Sequence, residues 1–329
     1  MAAQRAIMNY ESKRLRYMKK KVVVALGHRA LGTTFPEQQK AVKASAKILA
    51  DLVEEGAELI ITHSNAPQVG MIHTALNEFA KLHETYGAPM SICSAMSQGY
   101  IGYDIQNALR SELLSRGIYK TVVTVLTQVT VDPYDEAFYH PVKFIGRYLT
   151  AEEAAMEEKR GNYVAEEPGK GYRRIVAAPK PRDIIEIDAV NTLAAAGCIV
   201  IAGGGGGIPV LKQGTHLKGA SAVIEKDLVS GRLADLTDAD LLMILTNEEF
   251  VNIHYDSDSP LPLKHMTPAE ALSHIENQEF GKNKMLPKIE ASMNFVSQKA
   301  GRKAIITSID KAKDAYLGKT GTVISQETV

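Results

Sequence analysis

The stretch Ile201-Ala-Gly-Gly-Gly-Gly-Gly-Ile-Pro209 decides the reading of this chain. It closes the apolar run Cys198 to Ala202, which has the Val/Ile character of a strand buried on both faces. Glycine permits positive φ and close backbone approach, so successive N–H groups after such a strand can converge on an anion. A mobile hinge is the competing reading, and the turn or helix that must follow at once disfavours it. The run is built to hold a phosphate-bearing ligand. No GxGxxG or Walker A sequence accompanies it, which argues against a standard dinucleotide or P-loop site.

Outward from this point, similar apolar runs recur at Val22 to Leu26, Leu59 to Thr62, Thr121 to Leu126, Leu241 to Thr246 and Ala304 to Thr307. Between them lie helical patterns. Gln38 to Glu55 places Val42, Ala46, Leu49, Leu52 and Val53 at helical spacing, with Gly56 as the stop. Gly99 to Arg116 repeats the design with Ile101, Ile105, Leu109 and Leu113. Strands alternating with helices predict an α/β fold with a doubly wound, mainly parallel sheet, whose ligands sit at the carboxyl ends of the strands. Residues 132–182 break the alternation, being rich in Tyr, Pro, Gly and charge, with an Ala/Glu-rich helix near Thr150 to Lys159. They read as an inserted subdomain within a single domain over 18–329.

The chain of 329 residues is 45% hydrophobic, enough for a large core. Lysine plus arginine equals aspartate plus glutamate at 38 each, so no global field favours nucleic acid or a membrane surface. No apolar run approaches the roughly 20 residues of a membrane span. Cys93 and Cys198 form no recognisable disulfide or metal pattern, and a reducing cytoplasm is expected. Residues 1–17 are basic and lack an apolar signal segment; they are expected to be an upstream extension, disordered or helical, with Met18 as the natural start.

Three further turns suit chemistry: Ala25-Leu-Gly-His-Arg-Ala-Leu-Gly32, Thr62-His-Ser-Asn-Ala-Pro-Gln-Val-Gly70, and the lysine-rich loop Phe280 to Lys288, read as a strand end. Phosphoryl transfer needs positive charge on the migrating group and a carboxylate to organise it. Lys143, Lys226 and Lys288 stand in suitable settings, and Asp227 adjoins Lys226. Each lysine alone is more often a solvated surface residue; only the combination with the glycine turns shifts that balance. His28 and His63 sit at strand ends, where a histidine without a paired carboxylate is more often structural than an acid or base. The nine histidines show no metal-ligand spacing.

Taken together, Pro67-Gln-Val-Gly-Met-Ile72, Met96-Ser-Gln-Gly-Tyr-Ile-Gly-Tyr103, Gly171-Tyr-Arg-Arg174, Pro179-Lys-Pro181, Gly204-Gly-Gly-Gly-Ile-Pro209, Ala239-Asp-Leu-Leu242 and Lys319-Thr-Gly-Thr-Val323 resemble carbamate kinase, within the amino-acid kinase fold. The resemblance runs from Lys21 to Ile324. It implies a three-layer αβα sandwich with a protruding subdomain, a homodimer, a place in arginine metabolism, and reversible phosphoryl transfer between carbamoyl phosphate and ADP with ATP/ADP and Mg2+. It implies catalytic roles for Lys143, Lys226, Asp227 and Lys288. It implies substrate contacts from Gly27, His28, Arg29, Asn65, Gly204, Gly205 and Gly206, and nucleotide contacts from Thr246, Asn247, Met285 and Lys288. No protein metal ligand is implied.

Departures cluster at the site. Gly27-His28-Arg29 stands where the family usually has Gly-Gly-Asn, and His63-Ser-Asn-Ala-Pro67 where it has His-Gly-Asn-Gly-Pro. Side chains at positions that used positive φ are expected to cost on the order of 1–2 kcal/mol. Phe250 replaces a lysine, Tyr255-Asp-Ser-Asp-Ser-Pro260 replaces a Gly-Lys-Pro loop, and Asn283-Lys284 replaces Gly-Ser. Three readings follow: an active carbamate kinase, a kinase of the same fold for a different small carboxylate or carbamoyl substrate, and an inactive nucleotide-sensing or partner-binding homologue.

Overall fold

The computed structural model describes residues 19–254, 259–280 and 285–327. The extension expected over 1–17, most of the Tyr255–Ser259 stretch, and Asn283-Lys284 lie outside the described residues.

The chain begins β1 (Lys20–Leu26), α1 (Phe35–Glu54), β2 (Ala57–His63), α2 (Ala66–Leu82) and α3 (Met90–Ser115). It continues β3 (Val122–Thr124), β4 (Gln128–Val131), β5 (Lys143–Leu149), α4 (Ala151–Lys159), β6 (Tyr163–Glu167), β7 (Gly171–Val176) and β8 (Pro181–Ile184). Next come α5 (Ile187–Ala195), β9 (Ile199–Ile201), β10 (Ile208–Gln213), β11 (His216–Gly219), α6 (Lys226–Leu236) and β12 (Leu241–Thr246). The last third holds β13 (Val251–Ile253), β14 (Leu261–Leu263), β15 (His265–Met266), α7 (Pro268–Glu276), α8 (Leu286–Ser297), β16 (Lys303–Ser308), α9 (Ala312–Tyr316) and β17 (Thr322–Ser325).

The main sheet has eight strands in the order β15-β17-β16-β12-β1-β2-β9-β3. All its pairings are parallel except β16 with β17. Alternation along β1 shows why the strand is apolar throughout. Val22, Val24 and Leu26 enter one core with α1, α3 and α9, while Val23 and Ala25 enter another with α5, α6, α7 and α8. The helices of the two cores make the outer layers of an αβα sandwich, the fold expected from the sequence.

Three smaller sheets accompany it among the described residues. One has the order β11-β10-β4-β8, one is the antiparallel pair β13-β14, and the third, β5-β7-β6, carries α4 against it. The three-stranded sheet lies within 143–176, so the ends of the stretch read as an insertion belong elsewhere: β8 pairs with β4. A third apolar cluster of Val69, Met90, Cys93, Ile145 and Val176 seats this sheet on α2 and α3.

Several expected boundaries move. The strand expected over Thr121 to Leu126 is confined to β3, and that over Cys198 to Ala202 to β9. The helix expected from Gly99 begins at Met90 behind Pro89, with two glycines inside it. Gly102 is there because a Cβ would meet Thr124 Cγ2 at 2.4 Å, not because a helix starts nearby. Of the stretch Phe280 to Lys288, read as a strand end, residues 281–284 lie outside the described residues; Phe280 follows α7 and Lys288 lies in the first turn of α8, so its described residues belong to no strand.

Candidate active site

Parallel pairing brings the carboxyl ends of β1, β2, β9 and β12 to one edge. Leu26 is in register with His63 and Leu245, and the next residues are tied across the ends: Gly27 N donates to Leu245 O (3.1 Å), Ser64 N to Leu26 O (3.1 Å) and Ala202 N to Ile61 O (2.9 Å). A Cβ at Gly27 would stand 2.7 Å from Leu245 O, so this turn requires glycine.

The glycine run curls at this edge with φ of +64, +66, +88 and +82° at Gly203, Gly205, Gly206 and Gly207. It is also tightly enclosed. A Cβ would come within 2.2 Å of His63 Nε2 at Gly204, 2.0 Å of Asn65 Nδ2 at Gly205 and 2.0 Å of Ile224 O at Gly206. Gly203 N donates to Thr127 Oγ1, and Gly204 O accepts from Gln98 Nε2 at 3.0 Å. Among the described residues the N–H groups of Gly204 and Gly205 donate to no protein acceptor. Two free donors at the start of a 3-10 turn are what an anion needs.

The charged groups stand at the starts of α6 and α8. Lys226 Nζ donates to Asp227 Oδ1 (2.5 Å) and Lys288 Nζ to Asp227 Oδ2 (2.8 Å). Their side chains are only 13, 6 and 14% exposed for Lys226, Asp227 and Lys288. Burial pulls the Lys226 ammonium below its ordinary range. The same burial pushes Asp227 up, but the two lysines outweigh it and hold the carboxyl below its ordinary value. Hydroxyls fix both helix starts: Ser230 Oγ donates to Lys226 O and meets Thr62 Oγ1 on β2, while Ser292 Oγ donates to Lys288 O. Lys143, on β5, reaches the same region through an ion pair with Glu225, the residue before Lys226.

The remaining expected site residues divide. Asn65 is buried, and its amide nitrogen donates to Ser97 Oγ (2.8 Å) while lying against Gly205. It braces the glycine run. Thr246 ends β12 and exposed Asn247 follows it, while Met285 precedes α8 and its carbonyl accepts from Lys288 N at 3.0 Å. His28 and Arg29 are exposed in a 3-10 turn, and Arg29 has no ion-pair or hydrogen-bond partner among the described residues.

The backbone strain expected at the altered turns is absent. His28, Arg29, Ser64 and Ala66 all avoid positive φ; among the described residues the non-glycine ones that adopt it are Glu84, Asp238, His254 and Gln278. The turn at His28 is helical, and Ala66 enters α2 with Pro67 in its first turn, so both loops suit ordinary L-residues.

Sequence reasoning overlooked Gln98, quoted within a motif but given no task. It is 2% exposed and bonds to Thr127 O, Thr127 N and Gly204 O. A glutamine one helical turn before Ile101, in line with the apolar row Ile101, Ile105, Leu109 and Leu113, was the available signal. A separate cavity of about 460 Å³ between α2 and the β5 sheet, lined by His73, Asn77 and Arg174 among others, contains none of the candidate groups.

His63 is buried against the glycine run. It is 1% exposed, its ring meets Gly204, and burial lowers its pKa from 6.5 to about 4. Its neutral form is the folded one, so the unfolded chain binds more protons between about 4 and 6.5 and stability is lost as pH falls through that window. Between pH 7 and pH 5, this group should remove about 2 kcal/mol. His63→Gln should flatten the acid limb by that amount in denaturant titrations at the two pH values. An unchanged difference would show that the imidazole does not carry it.

Glycine donors at the edge of a parallel sheet, with buried lysines sharing one carboxylate, are groups suited to phosphoryl transfer. The model of the Amino acid kinase family matches residues 20–308. Carbamate kinase-like protein YqeA of Escherichia coli (strain K12) is 52% identical over 310 residues, which are 94% of this chain and 100% of that protein. Carbamate kinase of Staphylococcus haemolyticus (strain JCSC1435) is 44% identical over 308 residues, 93% of this chain and 99% of the relative. Carbamate kinase from Giardia lamblia bound to AMP-PNP superposes with a TM-score of 0.89 at 34% identity, covering 94% of this chain and 100% of that one. The chain belongs to the amino acid kinase family and, within it, to the carbamate kinases. It is a carbamate kinase-type phosphotransferase.

Proposed function

We propose that the chain moves a phosphoryl group reversibly between carbamoyl phosphate and ADP. The observation that carries this reading is the buried Lys226–Asp227–Lys288 cluster beside the unpaired Gly204 and Gly205 donors. A terminal oxygen of the ADP β-phosphate attacks the phosphorus, and the bond from phosphorus to the carbamate oxygen breaks. Carbamate leaves with the electron pair and falls to ammonia and CO2 in solution. The transfer itself moves no proton, so the protein's work is positioning and charge neutralisation. Lys226 and Lys143 balance charge on the migrating group, and Asp227 keeps Lys226 and Lys288 aimed. The glycine amides hold the phosphate oxygens.

Thr246, Asn247, Met285 and Lys288 border the nucleotide in this reading. Both Asp227 oxygens are engaged by lysines, and the described residues include no group of His, Cys, Asp or Glu arranged to hold a metal. Magnesium entering with the nucleotide phosphates would screen their charge, while both Asp227 oxygens stay with Lys226 and Lys288. A homodimeric state and a cytoplasmic location belong to the same proposal. The test is ATP formation from carbamoyl phosphate and ADP with magnesium, read in a coupled assay. A rate equal to the enzyme-free background in folded protein would overturn it.

Exposed, unpartnered Arg29 beside Gly27 favours a second reading, in which the substrate carries a further anionic group. The double change His28→Gly and Arg29→Asn discriminates. It should raise carbamoyl phosphate-dependent ATP formation, roughly tenfold, if the two side chains merely crowd the pocket. A fall in kcat/KM instead assigns them to substrate binding.

A further inference from the structure

Glu225 begins α6, yet its carboxylate makes no hydrogen bond to the helix amides it precedes. Glutamate is not among the side chains favoured at this position, where Ser, Thr, Asp and Asn cap best. Its carboxylate turns instead to Lys143 Nζ, 82 residues earlier in the chain. The backbone explains how the two meet. Lys143 is in register with Val176 across β5 and β7. The next residue, Ala177, bridges Ala222 in parallel, and Val223 N donates to Ala177 O at 3.0 Å. Three residues beyond Ala222 stands Glu225, with Lys226 and Asp227 directly after it.

This path joins the small sheet to the chemical cluster through main-chain bonds, whereas its other seat on the body is the apolar patch on α2 and α3. At that seat Gly70 and Gly146 face each other, with Gly146 at φ +69°, so the strand bearing Lys143 bends there. Apolar packing has no preferred direction, and it leaves open where the tip of β5 points. A directional contact is needed to aim the lysine. The ion pair supplies one, and the Glu225 carboxylate also acts on Lys226, opposing the effect of burial on that ammonium.

We propose that Glu225 is a positioning residue that docks Lys143 at the Lys226–Asp227 cluster, ready to pass to the incoming phosphoryl group. The pair is suited to exchange. Lys143 is 43% exposed and Glu225 30% exposed, so the contact is weak enough for a phosphate dianion to displace the carboxylate. Glu225 touches no reacting atom; it acts through Lys143.

The inference rests on the proposed kinase reaction, and its test has two arms so that the two are separable. In steady-state assays, Glu225→Gln should lower kcat roughly 5- to 10-fold with the KM for ADP unchanged, and Glu225→Asp should recover most of the loss. In a Lys143→Ala background the Glu225→Gln change should cost nothing more. Losses that multiply in the double variant would overturn the proposal. The second arm needs no turnover: amide hydrogen exchange over β5 and β7 in the full chain should quicken several-fold in Glu225→Gln and equally in Lys143→Ala. Unchanged exchange in Glu225→Gln overturns the docking whatever the assays show. Quickened exchange in Glu225→Gln, together with a wild-type protein that makes no ATP, upholds the docking and removes the proposed reaction instead.

Discussion

Lys226→Ala should lower kcat for ATP formation by roughly 10²–10³-fold, the range found when one donor aimed at developing charge is removed from a water-poor site. The size follows from burial. Lys226 is 13% exposed, so little water is on hand to replace the missing ammonium. The KM for ADP should change little, because the charge being stabilised is on the migrating phosphoryl group and peaks in transit. Loss of Lys226 leaves Asp227 still paired with Lys288, which keeps the helix starts together. Circular dichroism and a denaturant midpoint close to wild type would confirm that the loss is chemical. Retention of phosphoryl transfer within a few-fold would remove Lys226 from the role given to it here.

The second large effect is on Asp227→Asn. The substitution is nearly isosteric, but it takes the one carboxylate shared by two buried lysines. Removing one partner from such a cluster strands charge where it is poorly solvated, at a cost of roughly 3–5 kcal/mol. The pH dependence has a definite sign. The folded carboxyl lies below its ordinary value of 3.8, so its contribution is fully present above that value and is lost below it, as pH falls on through the lower folded value. At neutral pH the variant should therefore show a lower denaturant midpoint, together with a large drop in kcat from misplaced lysines. A loss below about 1 kcal/mol would mean the lysines find other anions and that Asp227 is not their organiser.

Legibility in the sequence followed the range of the forces involved. Val22 to Leu26 could be read as a central strand because both faces of β1 are buried and both demand apolar residues. The glycine run was readable because its backbone conformation excludes other residues, and Lys226-Asp227 because adjacent charges lie in one helix turn. What could not be read depends on contacts distant in sequence. Gln98 acquires its task only when α3 lies beside Thr127 and Gly204, the latter 106 residues away. Glu225 is an unremarkable acid until β5 delivers Lys143. The start of α3 at Met90 was missed because Gly99 mimics a boundary, although the helix runs through it. The half-exposed strands of the small sheet carry no clean alternation, so their pairing was invisible.

The altered turns illustrate a different limit. Comparison of residue types predicted strain at Ser64 and Ala66, yet both occupy ordinary backbone regions because Ser64 N is held by Leu26 O and Ala66 opens a helix. A glycine in a relative does not by itself specify the φ of the residue that replaces it. The turns after β1 and β2 are changed in chemistry and unstrained in conformation, while the glycine run and the lysine cluster carry the groups that the proposed phosphoryl transfer uses.

The most direct test of that claim is a phosphorus NMR time course with carbamoyl phosphate, ADP and magnesium, run with wild-type and Lys226→Ala protein. The account predicts that the wild type converts the carbamoyl phosphate resonance into the γ-phosphate resonance of ATP, while the variant yields chiefly inorganic phosphate from spontaneous breakdown. Inorganic phosphate alone in both samples, from protein shown to be folded, would contradict it.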